Sequence, residues 1–508
     1  MSVIVNEELI KKAEALKHPL RVTEISPLDA VKITADNTCF QKLKAVTEKK
    51  LTIPFTLDQN EEILLDFGDH YVGYLEFSLD NDAEIRITDS PIKLAFSFGE
   101  FPLEIVTPPE EYKGGLGSGW LQNEERSYVF TPCTCSLERR YSFRYLKIKR
   151  TDTARHPIIF NSLTLKSVSS VDINDAPALK TDDIRLKDIY DMSVKTLKEC
   201  QQEVFEDGPK RDRRLWIGDL KLQAMTDYGI FRNLDLIKRC IYLFASATAE
   251  HGMVAPCIFP DSPPYVDGWI FCDYSLYFIS CLYDWYKNTD DIRLIEELYD
   301  TAYTQMLKVS EKFSNETGII ELNPFIDWCP GLDKKTALLG VYIYTLRQLK
   351  ELSDILGKDT KKTEEEIEKA EKSLRNFFDK EKGLFTSPSG QLSQHSQVWA
   401  VLSGILSDEE AEELLGKIRS IDTAFTMRTP YMMHYYIEAL YKYGKTTEAL
   451  SFIKEYWGKI FDAGFDCCPE VFNPLNEFES PYNAPEINSA CHAWSCTPAY
   501  WIPRLIKE

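Results

Sequence analysis

The chain has 508 residues, of which 44% are hydrophobic and 27% charged, with 23 glycines and 25 prolines. That balance belongs to a folded globular protein and excludes a disordered or collagen-like chain; at this length roughly two to four domains are expected. Eighty acids against 59 bases give a net charge of −21, and so acidic a surface repels phosphate backbones, which argues against sequence-blind nucleic-acid binding.

The first twenty residues, MSVIVNEELIKKAEALKHPL, lack the basic-then-apolar pattern of a signal peptide. No run approaches the eighteen or so apolar residues that would span a bilayer, so no membrane association is expected. Thirteen cysteines follow no regular framework, which suggests a reducing compartment and a cytoplasmic protein, with most thiols packed as small hydrophobes. Neither Cys133-x-Cys135 nor Cys467-Cys468 has the neighbouring ligands of a zinc motif, so no metal is expected.

Residues 6–20 read as a short amphipathic helix. Apolar residues then alternate in short runs: Glu62–Phe67, Tyr74–Leu79, Glu84–Thr88, Leu94–Phe98 and Phe143–Lys149, with turn residues such as Asp80-Asn-Asp82 between them. A period of two with such punctuation predicts a β-sandwich or barrel. Beyond about residue 180 the period lengthens; from Ile184 to Leu197 the apolar side chains fall on one helical stripe. Further helices are predicted near 219–249, 272–288, 290–313, 335–356, 361–378, 393–405, 408–419, 427–443, 446–459 and 488–506. Eleven or twelve helices with alternating short and long connections suggest an (α/α)6 toroid, whose loops at one mouth carry function. The expected architecture is thus an N-terminal β-sandwich over 1–178 and an (α/α)6 toroid of six helical hairpins over 179–508.

Two polar clusters stand out in the helical half. The first, Glu206-Asp-Gly-Pro-Lys-Arg-Asp-Arg-Arg-Leu-Trp-Ile-Gly-Asp219, is a loop, since Gly and Pro break the helix there. It reads either as a solvated loop of exposed ion pairs, each worth about 0–1 kcal/mol, or as a binding site; alternating signs and Trp216 among the charges favour the second. The other cluster holds Asp466-Cys-Cys-Pro-Glu470, Glu477, Glu479, Glu486 and Cys491-His492-Ala-Trp494. Taken alone, Glu470 is a loop acid and His492 is more often a core histidine than a catalyst. Between them lie Tyr265-Val-Asp267-Gly-Trp269 with Asp273, and Phe325-Ile-Asp327-Trp328.

Tryptophans paired with acids suit sugar recognition, ring faces against C–H surfaces and carboxylates on hydroxyls. Two carboxylates held across a sugar suffice to cleave a glycosidic bond, one donating a proton and one activating water or attacking carbon. Trp216, Asp207 and Asp219 would raise the pKa of Asp212 towards that of a proton donor, whereas Arg211 and Arg213, if they face it, would lower it.

These residues resemble the α-L-rhamnosidases of glycoside hydrolase family 78, among the six-hairpin glycosidases. The first loop looks like their DCPQRDERLGWTGD signature, and the second like their TxWE-x-F segment followed by a His-x-Trp helix start. Weaker similarity covers Asp66-Phe-Gly-Asp69 through Phe143-Arg-Tyr145 and the stretch Thr429–Leu440. The resemblance implies an inverting exo-glycosidase that releases α-L-rhamnose or a related 6-deoxy or uronic sugar from a carbohydrate substrate without a cofactor. Anchored on Trp216-Ile-Gly-Asp219, it places Asp212 at the general acid and Glu470 at the general base. It likewise implies substrate contacts from Asp207, Arg211, Trp216, Asp219, Trp269, Asp273, Trp328 and His492. Anchored instead on Arg211-Asp212, the acid position falls on Arg213 and no donor remains, or passes to Asp207. The chain also departs from the family in having Asp for Glu at the acid and Cys468-Pro469 before the base. It stops soon after the last helix, where typical members continue into a further β-sandwich. The alternatives are a non-catalytic carbohydrate-binding protein on the same scaffold, or another (α/α)6 activity such as a phosphorylase or lyase; a homodimer is left open.

Overall fold

The computed structural model describes residues 3–81, 90–249, 251–260, 264–266 and 270–507. The expected strand at Glu84–Thr88 lies outside them, as does Trp269. The N-terminal part comprises β1 (Val3–Val5), α1 (Glu7–Ala15), β2 (Arg21–Ile25), β3 (Asp29–Ala35), β4 (Leu43–Lys50), β5 (Phe55–Leu57), β6 (Glu62–Asn81), β7 (Ile92–Gly99), α2 (Pro102–Val106), β8 (Asn123–Tyr128), β9 (Cys133–Ser136), β10 (Tyr141–Arg150) and β11 (Ile158–Ser169). Strands β2 to β11 form one continuous antiparallel network folded into two leaves. The twenty-residue β6 belongs to both. Its first half pairs with β10, its second with β11, and Gly73 is the crossing point, opposite Tyr141 on one side and Ser167 on the other. A Cβ at Gly73 would stand 2.2 Å from the Lys166 carbonyl oxygen, so only glycine fits there. Alternate residues of β6 (Leu65, Phe67, Leu75, Phe77 and Leu79) point into the core between the leaves. Phe77 of one leaf meets Phe96 of the other at 5.5 Å between ring centroids.

Among the described residues, twelve α-helices follow: α3 (Ile184–Cys200), α4 (Ile217–Asp227), α5 (Leu234–Ser246), α6 (Cys272–Thr289), α7 (Ile292–Ser310), α8 (Lys335–Ile355), α9 (Lys361–Asn376), α10 (Gln394–Ser403), α11 (Asp408–Ile418), α12 (Pro430–Lys442), α13 (Thr446–Asp462) and α14 (Pro498–Leu505). They form six hairpins. Helices α4, α6, α8, α10 and α12 pack in succession, and the turn Ala493–Ser495 ahead of α14 touches both α12 and α4, which closes the inner ring. Every residue of α4 and α10 is buried, as an inner helix enclosed on all sides requires. Outer helices bury one stripe; on α9 it is Thr363, Glu366, Ile367, Ala370 and Leu374.

Two expected helices change shape. The stretch 219–249 is two helices, because Asp227 ends α4 by accepting the Asn233 amide at 2.7 Å and the Gln201 side chain at 2.6 Å. The stretch 488–506 is helical only from Pro498, and the residues before it are irregular and line the pocket described below. The leading helix α1 packs on α5 rather than on the sheet, and Arg239 of α5 donates to the Ala13 carbonyl at 2.7 Å.

Candidate active site

The loop from Glu206 to Trp216, between α3 and α4, is the charged run of the sequence, and it is buried. Lys210 is 0% exposed, Arg211 3%, Asp207 5% and Glu206 6%, which rules out a solvated row of surface ion pairs. Burial of charge is tolerable only with partners in place, and several of these groups have them. Lys210 donates to the carbonyls of Glu486 at 2.9 Å and Asn488 at 2.7 Å, and pairs with Glu104 at 2.8 Å. Glu206 takes a two-pronged bond from Arg140, at 2.7 and 2.6 Å, at the edge of the sheet. Arg213, in the left-handed region at φ 55°, turns back to the Pro209 carbonyl at 3.0 Å and the Arg140 carbonyl. Its guanidinium therefore braces the loop from behind.

The second wall comes from the segment between α13 and α14, doubled back on itself. His492 N–H donates to the Cys468 carbonyl at 2.8 Å, Glu470 N–H to the Ser489 carbonyl at 3.0 Å, and the Trp494 indole N–H to the Glu470 carbonyl at 3.0 Å. The two walls meet through Ala493 N–H, which donates to the Asp207 carbonyl at 2.9 Å. Gly208 is glycine for this approach: a Cβ there would stand 3.1 Å from the Cys491 carbonyl oxygen and 3.3 Å from the His492 ring.

Four carboxylates and a histidine share the enclosed space. Arg211 donates to Glu470 Oε2, and the Tyr482 hydroxyl donates to Glu470 Oε1 at 2.5 Å; Arg211 also lies 4.1 Å over the Tyr482 ring. Both oxygens of Glu470, 2% exposed, are thereby held. Among the described residues, Arg211 Nε and Nη1 are buried without a hydrogen-bond partner, and so are Asp219 Oδ1 and His492 Nδ1, which face each other at 3.4 Å. These are the free polar atoms a bound hydroxylated ligand would engage. Asp207 accepts the Arg214 amide at 3.1 Å. Burial, reinforced by the charges of Asp212 and Asp219, pushes its carboxyl well above the usual range; burial and the charge of Glu470 do the same to Asp219. His492 stands 3.4 Å from Asp219 and 3.9 Å from Asp207. Burial, then the positive Arg211, lower its pKa to about 3, so the ring is neutral at ordinary pH. Asp212 is only partly buried. No hydrogen bond engages its carboxylate among the described residues, and its charge is felt at Asp207, Asp219, Tyr482 and His492.

Aromatic side chains supply the floor and one rim. Trp494 stacks near His492 at 4.4 Å and near Phe325 at 5.9 Å. Trp216, at the start of α4, meets Tyr274 edge-on at 6.3 Å. Trp328, 40% exposed, meets Tyr482 at 6.1 Å and forms the border of a cavity of about 910 Å³ whose walls include Arg428, Tyr456 and Glu479. That cavity holds none of the four carboxylates; it adjoins them across Trp328 and Tyr482.

Asp273, expected to touch substrate, does something else. It is fully buried at the start of α6, where Oδ1 accepts the amides of Phe325 at 2.9 Å and Tyr274 at 3.0 Å and Oδ2 that of Ile326 at 2.8 Å. With its lone pairs so occupied, it clamps the loop that carries Trp328. Asp327 is similarly committed, to His395, Thr429 and the Arg428 amide. Trp269 lies outside the described residues. The sequence-based set missed Tyr482, one of 26 tyrosines in a stretch without pattern, and omitted Trp494, which only the doubled-back segment brings to the pocket.

Two family models match the chain. The glycosyl hydrolase family 78 α-rhamnosidase N-terminal domain covers residues 27–167, and the bacterial α-L-rhamnosidase six-hairpin glycosidase domain covers residues 174–506. Among solved structures, a rhamnosidase from Klebsiella oxytoca with rhamnose bound is 34% identical, with a TM-score of 0.94 over 99% of both chains. A family 78 rhamnosidase of Bacillus sp. GL1 is 18% identical with a TM-score of 0.75 and matches 91% of this chain but 49% of its own length. The α-L-rhamnosidase of Streptomyces avermitilis, complexed with L-rhamnose, is 14% identical with a TM-score of 0.67 over 96% of this chain and 44% of its own. These last two share the fold. No curated protein matches by sequence.

Proposed function

The chain belongs to the α-L-rhamnosidases of glycosyl hydrolase family 78, and from that membership we propose that it removes a terminal α-L-rhamnose, or a related 6-deoxy or uronic sugar, from an oligosaccharide or glycoside with inversion at the anomeric carbon. The observation that carries the assignment of roles is the contrast between its two loop carboxylates. Glu470 is gripped by Arg211 and Tyr482, while Asp212, in the same enclosure, meets no donor among the described residues. A base must present one carboxylate oxygen to water in fixed orientation, which the two-sided grip on Glu470 supplies. A proton donor must reach the leaving oxygen, and Asp212 is the least enclosed of the four.

Inversion requires the two carboxyls to stand on opposite faces of the sugar, roughly 6.5–9.5 Å apart, with water between base and anomeric carbon. Asp207 and Asp219, raised by burial and by the charges of neighbouring carboxylates, keep a proton in the cluster. They and neutral His492 bind sugar hydroxyls, with Trp216 and Trp494 against the ring's apolar face. The 34%-identical Klebsiella enzyme carries rhamnose, which supports that sugar here. Thirteen free thiols, ten of them buried, support a reducing, cytoplasmic setting.

Asp212→Asn and Glu470→Gln should each lower turnover of an aryl α-L-rhamnoside by about 10²–10⁴-fold with the far-ultraviolet circular dichroism unchanged. Proton NMR at early times should show the β-anomer of rhamnose first; α-rhamnose first would overturn inversion. Full activity in Asp212→Asn would move the donor role to Asp207, whose raised carboxyl makes it the second choice. Saturable rhamnose binding without turnover would leave a binding protein.

A further inference from the structure

We propose that the chain binds a thiophilic divalent metal ion of the zinc type at the joint between sheet and helical ring, through His70, Cys467 and Cys491. This site is separate from the sugar pocket. His70 lies on β6, and Cys467 and Cys491 lie on the two limbs of the doubled-back segment between α13 and α14. The ligand atoms of His70, Cys467 and Cys491 all fall within 4.8 Å of one another, and all three residues are buried.

Particular edges fit a tetrahedron. Bonds of about 2.3 Å to sulfur and 2.0–2.1 Å to nitrogen imply sulfur–nitrogen edges of about 3.6 Å and sulfur–sulfur edges of about 3.8 Å. Cys467 Sγ stands 3.6 Å from His70 Nδ1, and Cys491 Sγ lies within 4.8 Å of both. An independent observation comes from the other side of the ring. His70 Nε2 is 3.1 Å from Glu100 Oε1 and 2.9 Å from Ser142 Oγ; a carboxylate on the far nitrogen fixes the tautomer and aims Nδ1 at a metal. Glu100 is itself held, its Oε2 accepting the Ala490 amide at 2.6 Å.

Thiolate and imidazole without a ligating carboxylate select zinc over magnesium or calcium. On binding, the S–H bonds of Cys467 and Cys491 break as sulfur–metal bonds form. Two protons leave to solvent for each divalent ion taken up, and a third, from Nδ1, where His70 starts as an imidazolium. The set is invisible to motif spacing, since its members are spread over more than four hundred positions. Cys467 is three residues before Glu470 and Cys491 adjoins His492, so an ion there ties both pocket residues to the sheet.

The full chain, purified under reducing conditions, equilibrated with zinc chloride and gel-filtered, should hold about one zinc by mass spectrometry. Cobalt in its place should give a sulfur-to-cobalt charge-transfer band. Cys467→Ser and His70→Gln should each reduce bound zinc about tenfold or more, and Cys133→Ser should not. Chelation should lower the melting midpoint by about a few degrees, as loss of any native-state ligand does. If the variants fail to fold, the wild-type chain decides. Less than about a tenth of an ion per folded chain with no cobalt band overturns the proposal, and so does a Cys467–Cys491 disulfide found by non-reducing peptide mapping.

Discussion

Tyr482 holds Glu470 through one hydrogen bond at 2.5 Å. Its removal in Tyr482→Phe leaves the aromatic contacts with Arg211 and Trp328 and deletes only that bond. A hydrogen bond to a charged group contributes about 1.5–3 kcal/mol, so kcat/KM on an aryl rhamnoside should fall about 10–100-fold, and the melting midpoint should drop by about a few degrees. His492 makes a pH-dependent prediction. Its pKa is depressed in the folded state to about 3, below the ordinary value of about 6.5. The native state thus binds fewer protons, and the contribution to stability is present above about pH 6.5 and lost as pH falls towards 3. The melting midpoint of His492→Gln should consequently fall less than that of the wild type over that interval, and NMR should show a neutral ring at pH 5; an imidazolium signal there would contradict the assignment. At this scale the sequence disclosed charged groups well and their partners poorly. Asp212 and Arg211 stood out as charges amid Gly, Pro and Trp, whereas Glu470, taken alone a loop acid, was singled out by the family resemblance. The backbone commitments of Asp273 were not, since they depend on amides fifty residues away.

The elements were legible in proportion to their one-sidedness. Strand runs with strict alternation and the striped outer helices declared their period, whereas α4 and α5 merged because the break between them rests on bonds from Asn233 and Gln201 to Asp227, which no period announces. What the period cannot convey is how closely two helices approach. Gly340 in α8 lies against α10, where a Cβ would stand 2.6 Å from the Trp399 carbonyl oxygen. Gly340→Ala must push these two inner helices apart, since backbone cannot rotate away, and should cost about 1–3 kcal/mol, read as a lower urea midpoint at unchanged slope. An unchanged midpoint would mean the ring yields there at no cost.

The sheet and the helical ring are joined by buried polar contacts. Arg140 grips Glu206, Lys210 reaches Glu104, and Arg144 spans Asp66 of the sheet and Asp466 of the second wall at 2.9–3.0 Å. Such groups cannot be separated without stranding charge, so calorimetry should show one cooperative unfolding transition, and two resolved transitions would refute this. Arg140→Ala strands Glu206 and should cost about 3 kcal/mol or more, with a fall in kcat as the loop holding Asp207 loosens. The two-part architecture could be read from the change of period near residue 180; the coupling could not, because its partners are scattered along the whole chain.

The ring closes where its first hairpin meets its last, and the pocket is built on that seam. During synthesis the wall bearing Asp207 and Asp212 leaves the ribosome some 250 residues before the wall bearing Glu470. A nascent chain halted in that interval has at most eleven of the twelve helices and one wall of the pocket, so competence for catalysis waits on the second wall, and a nick near Leu475 would take it away.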